Sequence, residues 1–221
     1  MDLPPGFASL TVREFTDRLA SEEPVPGGGS ASAVAASLGA SLVAMVAALS
    51  ADRPRYAEHA GLHVEARAAT EALRERLLAL ADEDAAAYAG FAAAMRLPRG
   101  TDEEQAARRA ALSDAARTAS EVPLECLEAC HEVAVWAEAL AGRSNRNASS
   151  DLEVASLLAS AAARGAGANV AVNLPSVGDE AWAGEILARV DALVDDVERL
   201  ADRTREVVRG GDPRDPLPPR A

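Results

Sequence analysis

The sequence contains no lysine, since all 22 of its basic residues are arginine. This absence excludes Schiff-base catalysis and the phosphate-binding lysine of a P-loop, because both require a lysine amine. The 35 acidic residues outnumber the arginines and give a formal net charge of −13. Nucleic acid binding depends mainly on basic side chains that neutralise phosphates, so we expect no nucleic acid partner.

Cysteine and aromatic residues are also scarce. Cys126 and Cys130 are the two cysteines, beside His131 on an expected helix, whereas a closed zinc site needs four ligands. We interpret both as small packed thiols and expect no bound metal. Aromatic residues make up 3 % of the chain and hydrophobic residues 49 %, so Ala, Leu and Val must build the core. Ala and Leu have high helix propensities, and such a core favours closely packed helices.

Targeting signals and membrane spans are not indicated. The opening MDLPPGFASL lacks the charged and apolar stretches of a signal peptide. Residues 30–50 form an apolar run with the length of a membrane span, but serines recur through it and alanine is only weakly apolar. We interpret this run as a central helix whose small residues allow close packing. The sequence therefore predicts a cytoplasmic protein with no membrane partner.

Helical periodicity extends along nearly the whole chain, and no strand pattern persists for more than a few residues. Capping boxes at Thr101–Glu104 and Ser150–Glu153 predict two helix starts. Pro123 is expected to kink or divide its helix, and Gly165 to interrupt another. The pattern predicts an all-α fold, an up-down bundle of long helices in one domain over residues 1–209. A disordered Pro/Gly-rich tail is expected at residues 210–221.

One carboxylate interrupts an apolar helix face. Spacings of three and four place the following residues on one face: Leu73, Leu77, Leu80, Asp84, Tyr88, Phe91 and Met95. A carboxyl group that faces a packed interior should have a raised pKa, and it can then act as a general acid or base near neutral pH. The alternative is a structural Asp84 that pairs with an arginine of another helix.

Other polar or glycine-rich features have both a binding and a structural explanation. The stretch EEPVPGGGSASA places three glycines, which are costly to order, before an apolar helix. A linker, or a ligand that touches bare backbone, could explain them. Asn169 and Asn173 could bind a heteroaromatic ligand or cap an irregular segment. Asp151 is favoured by the dipole of its helix, and Arg96 could bind a carboxylate or neutralise neighbouring acids.

Five segments together match the pattern of a known enzyme family. They are PVPGGGSASA with the helix that follows (24–50), ADEDAAAYAGFAAAMRLPR (81–99), EVPLE (121–125), SDLEVAS (150–156), and GANVAVNL followed by DEAW (167–182). In this order, the segments resemble the formimidoyltetrahydrofolate cyclodeaminases and the related methenyltetrahydrofolate cyclohydrolases. The resemblance covers nearly the whole chain and is that of the stand-alone form, without a formiminotransferase domain.

The resemblance implies an all-α fold and a tetrahydrofolate substrate, with no cofactor beyond that substrate. It assigns the catalytic acid to Asp84, the second Asp of a D-x-D pair. The substrate-binding residues that it implies are Pro26, Gly27, Gly28, Gly29, Ser30, Arg96, Asp151, Asn169 and Asn173.

The reaction expected from this resemblance is cyclisation of 5-formimidoyltetrahydrofolate to 5,10-methenyltetrahydrofolate, with release of ammonia. Hydrolysis of the methenyl compound to 10-formyltetrahydrofolate is an alternative that the sequence does not separate. A non-catalytic helical folate-binding protein is a third possibility. Long helices leave apolar faces exposed, so we also expect a homodimer.

Overall fold

Six α-helices account for most of residues 6–218, the part of the chain that the computed structural model describes. They are α1 (Val12–Leu19), α2 (Gly28–Ser50), α3 (Ala60–Met95), α4 (Asp102–Leu140), α5 (Ser149–Asn173) and α6 (Glu180–Gly210). Short 3-10 segments lie at Phe7–Ser9, Pro54–His59, Arg146–Ala148 and Leu174–Ser176. No strand occurs in the described residues. The predicted all-α single-domain bundle is confirmed.

The α2 helix packs against α3 on one side and α5 on the other, and α4 packs against α3, α5 and α6. Small residues let α2 and α5 approach closely: a Cβ at Gly39 would lie 3.1 Å from the Ala155 carbonyl oxygen. The two helices are antiparallel, because Gly28 at the start of α2 lies beside Asn169 near the end of α5. Among the described residues, only α2 is long and apolar enough to cross a membrane, and more than half of it is buried inside the bundle.

The α4 helix continues through Pro123 as a single helix, where the sequence predicted a kink or a division. Proline has no N–H, so the carbonyl of Ala119, four residues earlier, loses its helical partner. The Nδ2 of Asn173 on α5 donates a hydrogen bond to this carbonyl at 2.7 Å. Asn173 therefore supplies the missing bond and fastens α5 to α4.

The α5 helix likewise continues through its glycines to Asn173, where an interruption was expected. A Cβ at Gly167 would lie 3.0 Å from Cγ1 of Val190 on α6. This distance is shorter than an ordinary packing contact. Gly167 therefore allows α5 and α6 to pack closely, and it does not end the helix.

One of the two expected capping boxes forms. Thr101 Oγ1 accepts the N–H of Glu104 at 3.1 Å, and Glu104 Oε2 accepts the N–H of Thr101 at 3.2 Å. The α5 helix instead begins directly after the 3-10 turn Arg146–Ala148 and has no side-chain cap. The Ser150–Glu153 box is therefore not formed.

Residues 211–218 contain no helix or strand but make specific contacts, whereas composition predicted a disordered tail. The N–H of Arg214 donates to the Gly142 carbonyl at 2.9 Å. Its guanidinium donates to the carbonyls of Glu138 and Ala141, at 3.0 and 3.3 Å. The last carbonyls of a helix need partners from outside it. That of Glu138 also accepts the N–H of Ala141, the C-cap residue, at 3.2 Å. Arg214 thus caps α4 and holds this segment in place; residues 219–221 lie outside the described residues.

Candidate active site

The Asp84 carboxyl group on α3 faces the first turn of α2. Its Oδ2 accepts a hydrogen bond from the N–H of Ser30 at 2.9 Å and lies 2.9 Å from Ser30 Oγ. The first N–H groups of a helix have no partner inside it, and the helix dipole favours negative charge at that end. The fold therefore places this acid where the start of α2 can stabilise its ionised form.

Gly29 leaves the space that the Asp84 carboxyl group occupies. A Cβ at Gly29 would lie 2.5 Å from Cγ of Asp84 and 2.7 Å from its Oδ2. Real Cβ atoms essentially never approach other atoms so closely. The left-handed glycines are Gly142, Gly178 and Gly211, so Gly29 is required for space and not for its backbone angles.

The protonation of Asp84 is coupled to the Ser30 hydroxyl. Burial raises the pKa of Asp84, and the hydrogen bonds from Ser30 offset part of this rise. Ser30 Oγ also lies 2.9 Å from the Ala81 carbonyl oxygen. A hydroxyl has one proton, so it donates either to this carbonyl or to the carboxylate. When Asp84 is protonated, it can donate to Ser30 Oγ while Ser30 donates to Ala81, and the pocket accommodates both forms of the acid.

The structural alternative for Asp84, an ion pair with an arginine, is not formed in residues 6–218. Its neighbour Glu83 instead accepts from Arg76 at 3.0 Å, and Arg76 also donates to Glu125 at 2.7 Å. Asp82 accepts the N–H of Phe7 at 2.8 Å and so holds the 3-10 turn Phe7–Ser9 against α3. Asp84 thus differs from both neighbouring acids, because its hydrogen-bond donors both belong to Ser30.

The apolar face around Asp84 is buried on only one side of the acid. Leu77 and Leu80 are fully buried, whereas Tyr88 is 47 % exposed and Met95 is 55 % exposed. Asp84 therefore lies at the position where α3 leaves the core of the bundle. Within one chain the carboxyl group has a packed floor and an open side.

Asn169 lies beside the same glycine turn. A Cβ at Gly28 would lie 3.6 Å from Asn169 Nδ2, an ordinary van der Waals distance. This nitrogen donates to the Gly165 carbonyl of its own helix at 2.8 Å. Its Oδ1 makes no hydrogen bond within the described part of the chain and remains available as an acceptor at the turn.

The amide of Asn173 has a structural role. Its Nδ2 donates both hydrogens, to the Ala119 carbonyl at 2.7 Å and to the Asn169 carbonyl at 2.9 Å.

Two further residues precede α2 in the glycine turn. Pro26 is buried after a cis peptide bond, and Gly27 is the N-cap of α2 without a side-chain cap. These residues shape the entry of the chain into α2.

Arg96 and Asp151 are not brought to Asp84 within one chain. Arg96 is exposed at the end of α3, about 18 Å from Asp84 along the helix axis at 1.5 Å per residue. Asp151 lies in the first turn of α5, at the end of that helix opposite Asn169. The two residues of α5 are therefore about 27 Å apart.

Two clefts in residues 6–218 lie away from Asp84. One of about 440 Å³ is lined by His59 and Leu62 at the start of the bundle and by Pro216 of the tail. Another, of about 370 Å³, lies between α3 and α4 beside Glu83 and Val122. Asp84 and the glycine turn line neither of them. In a single chain, Asp84 contacts the glycine turn, but these two clefts do not enclose it.

These features define an all-α protein in which one helix presents an acid to the glycine-rich start of another. The sequence pattern of the formiminotransferase-cyclodeaminase family matches residues 11–192. The chain belongs to this family, and the family resemblance seen in the sequence is confirmed.

Individual relatives divide between two activities. A methenyltetrahydrofolate cyclohydrolase from Methylorubrum extorquens is 39 % identical over 199 residues, which cover 90 % of this chain and 96 % of that protein. A formimidoyltransferase-cyclodeaminase from Gallus gallus is 31 % identical over 196 residues, which cover 88 % of this chain but 36 % of the longer protein. The crystal structure of a formiminotetrahydrofolate cyclodeaminase from Thermotoga maritima matches with a TM-score of 0.83 and 26 % identity, covering 92 % of this chain and 98 % of that one.

Proposed function

We propose that this protein is a tetrahydrofolate one-carbon enzyme that cyclises 5-formimidoyltetrahydrofolate to 5,10-methenyltetrahydrofolate and releases ammonia. The observation that carries the proposal is the contact of Asp84 with Ser30 and Gly29: an acid with a raised pKa, free of arginine, beside bare backbone. The likeness of the chain to enzymes of both folate reactions supports the substrate class.

In this reaction, N10 of the folate attacks the formimino carbon on N5 and a tetrahedral carbon forms. The bond from this carbon to the former imino nitrogen then breaks, and that nitrogen needs a further proton to leave as ammonia. Protonated Asp84 donates this proton, and the carboxylate takes up the proton that N10 loses. One positioned general acid–base group contributes about 10²–10⁴-fold in rate.

Substrate binding is assigned to the bare start of α2. Without side chains at Gly28 and Gly29, a flat ring can approach the main chain closely. The free Oδ1 of Asn169 is an acceptor for ring N–H groups. Pro26, Gly27 and Asn173 set the shape of this surface and the position of α5 beside it.

Hydrolysis of 5,10-methenyltetrahydrofolate is the second candidate function, because the Methylorubrum extorquens relative named for this activity matches over almost its whole length. Asp84 would then act as the base that takes a proton from the attacking water. The test is to measure ammonia released from 5-formimidoyltetrahydrofolate and, separately, the loss of methenyltetrahydrofolate absorbance above its uncatalysed rate. The faster reaction identifies the function. Folate binding without either reaction would reject both and indicate a non-catalytic binding protein.

We also propose a cytoplasmic homodimer. Both cysteines are free and buried in the structure, as expected for a compartment in which disulfides are rare. Large apolar residues stand exposed on the outer faces of α2 and α5, among them Leu38 and Leu157. Such faces are typical of surfaces that pack against another protein. Light scattering coupled to size exclusion would measure the mass, and cell fractionation the location.

A further inference from the structure

The first helix, α1, is tied to the bundle on both sides at points close to Asp84. Before α1, the N–H of Phe7 donates to Asp82 Oδ1 at 2.8 Å. After α1, the chain enters α2, where the N–H of Ser30 donates to Asp84 Oδ2 at 2.9 Å. Asp82 and Asp84 are two residues apart on α3, so both ends of segment 7–30 are held within one turn of that helix. The α1 helix therefore stays close to the acid.

Between these two contacts, α1 is joined only loosely to the bundle. Among the described residues, none from 8 to 26 makes a hydrogen bond or an ion pair with α2–α6. No residue of α1 is buried, and the ring of Phe15 packs against that of Phe7 with centroids 5.8 Å apart. Two residues separate α1 from the preceding 3-10 turn, and residues 20–27, without helix or strand, separate it from α2. These two connections can act as hinges.

The surface of α1 is divided into an apolar side and a charged side. Val12, Phe15 and Leu19 share one side, because their spacings of three and four bring them together on a helix. Val12 is 83 % exposed and Leu19 is 38 % exposed. Thr16 also lies on this side, but its hydroxyl donates to the Arg13 carbonyl of its own helix at 2.9 Å. The charged residues of α1 lie on the other side: Arg13, Glu14, Asp17 and Arg18.

The α1 helix is stabilised by its own cap and not by packing. A helix of eight residues is marginal in water when it stands alone. Here Glu14 Oε2 accepts the N–H of Thr11 at 2.8 Å, and Thr11 Oγ1 accepts the N–H of Glu14 at 3.2 Å. This capping box holds the first turn together without help from the bundle. The helix can therefore move as a unit, and its apolar side is available for a further contact.

The product of the proposed reaction is sensitive to water at the same position. In 5,10-methenyltetrahydrofolate, one carbon joins N5 and N10 in a positively charged unit, and the oxygen of water can add to this carbon. One proton of the water passes to a base, the bond from the carbon to N5 breaks as N5 takes up a proton, and the new hydroxyl loses its proton to give 10-formyltetrahydrofolate. The Asp84 carboxylate can serve as that base. Release of the methenyl compound therefore requires that water be kept from the bound product.

We propose that α1 is a lid, which closes its apolar side over the folate at Asp84 and excludes water from the methenyl carbon. This inference rests on the proposed function for its ligand. Val12 and Leu19 make the contact with the folate, and Phe15 keeps the helix attached to Phe7. Closure of the lid then determines how the product divides between the methenyl and the 10-formyl compound.

Polar substitutions on the apolar side of α1 test this division of products. Val12 and Leu19 are exposed, so the fold should persist in Val12→Ser/Leu19→Ser. We expect this variant to give a several-fold larger share of 10-formyltetrahydrofolate from 5-formimidoyltetrahydrofolate, measured by chromatography at early times and corrected for uncatalysed hydrolysis. The matched control is Arg13→Ser/Arg18→Ser, which changes the charged side of the same helix. An unchanged product ratio in the first variant, or an equal change in the control, overturns the proposal.

A fluorescent label detects closure without any turnover. Val12→Cys, labelled with a dye that is sensitive to its environment, should shift its emission to shorter wavelength when the stable folate 5-formyltetrahydrofolate is added. The same label on Arg13→Cys lies on the charged side and should not shift. Cys126 and Cys130 are only 3 % and 0 % exposed, so the native thiols give little background. Equal shifts at both positions, or no shift at residue 12, would reject the lid.

The two experiments separate the lid from the proposed function. A shift at residue 12 in a protein that turns over neither folate would support the lid and reject the proposed function. Turnover with no shift and an unchanged product ratio would reject the lid and leave the proposed function in place. A shift that depends on protein concentration, without folate, would show that α1 covers a second copy of the chain and would also overturn the lid. The absence of folate binding would reject both.

Discussion

Asn173 on α5 restores the hydrogen bond that Pro123 removes from α4. Its amide donates to the Ala119 carbonyl, which would accept the N–H of residue 123 if that residue were not a proline. The contact joins two long helices at the level of the glycine turn, because Asn169, one turn earlier on α5, lies beside Gly28. The position of Asn169 in the site is thus coupled to a proline on a different helix.

This relationship gives a double-mutant cycle. Asn173→Ala leaves the Ala119 carbonyl without its partner, and we expect it to destabilise the fold by about 1–2 kcal/mol. Pro123→Ala supplies a new backbone N–H to the same carbonyl, so Asn173→Ala should cost less in the Pro123→Ala background. Urea unfolding of the four proteins measures the coupling. If Asn173→Ala lowers the free energy of unfolding equally in both backgrounds, the Asn173 amide does not replace the hydrogen bond that Pro123 removes.

Gly29→Ala should displace the Asp84 carboxyl group from its contact with α2. The new methyl group would overlap the Asp84 carboxyl group, and forcing extra volume into a packed position typically costs about 1–3 kcal/mol. Turnover should fall sharply, because Asp84 must move away from Ser30. Gly28→Ala is the matched control for stability, since its Cβ would make an ordinary contact at 3.6 Å with Asn169. Similar Tm values for the two variants would contradict the close approach at Gly29.

The helical fold and the central acid could be predicted from the sequence, because both depend on spacing along one helix. Periodicity predicted the long helices, and the face that contains Leu77 and Leu80 singled out Asp84. The continuity of α4 could not be predicted, since it depends on Asn173, which is 50 residues from Pro123. A proline inside a strong helical pattern does signal that some donor must bind the carbonyl it leaves free, but it does not say which.

Contacts between residues far apart in the sequence also explain the other differences between the predicted and the observed structure. The tail composition predicted disorder, yet Arg214 donates to the carbonyls of Glu138 and Ala141 at the end of α4, a contact that no local pattern in the tail reveals. Arg96 and Asp151 lie in segments that resemble the family, but the rise of 1.5 Å per residue keeps Arg96 about 18 Å from Asp84 and Asp151 about 27 Å from Asn169 within one chain. Whether such residues act together depends on what packs against the chain.

The variant Asp84→Asn tests whether Asp84 transfers protons in the reaction. The amide Oδ1 can still accept the N–H of Ser30, so the fold and the shape of the site should persist. The amide cannot exchange a proton near neutral pH, and we expect kcat to fall by about 10²–10⁴-fold while the folate Kd changes little. Stopped assays of ammonia release, together with calorimetric titration of folate, measure both effects. Near-normal kcat would remove Asp84 from the mechanism.

The same variant should reveal the cost of ionising Asp84 in the folded protein. Burial raises the pKa of this carboxyl group above its unfolded value, so the folded state binds the proton more tightly. Its contribution to stability is therefore fully present below the unfolded pKa and is lost as the pH rises through the folded pKa. Asn stays neutral at every pH. We expect Asp84→Asn to have the higher Tm at about pH 8, and this advantage to shrink toward about pH 4, near the ordinary pKa of Asp.

The control for this measurement is Asp17→Asn, which removes one negative charge from the exposed surface of α1 and leaves the site intact. Because the chain carries a net charge of −13, removing any acid reduces general repulsion, and the comparison subtracts this effect. Thermal unfolding by circular dichroism across the pH range gives the two difference curves. If Asp84→Asn and Asp17→Asn follow the same curve, the acid is no costlier to ionise in the site than on the surface. That outcome would contradict a raised pKa of Asp84 in the folded protein.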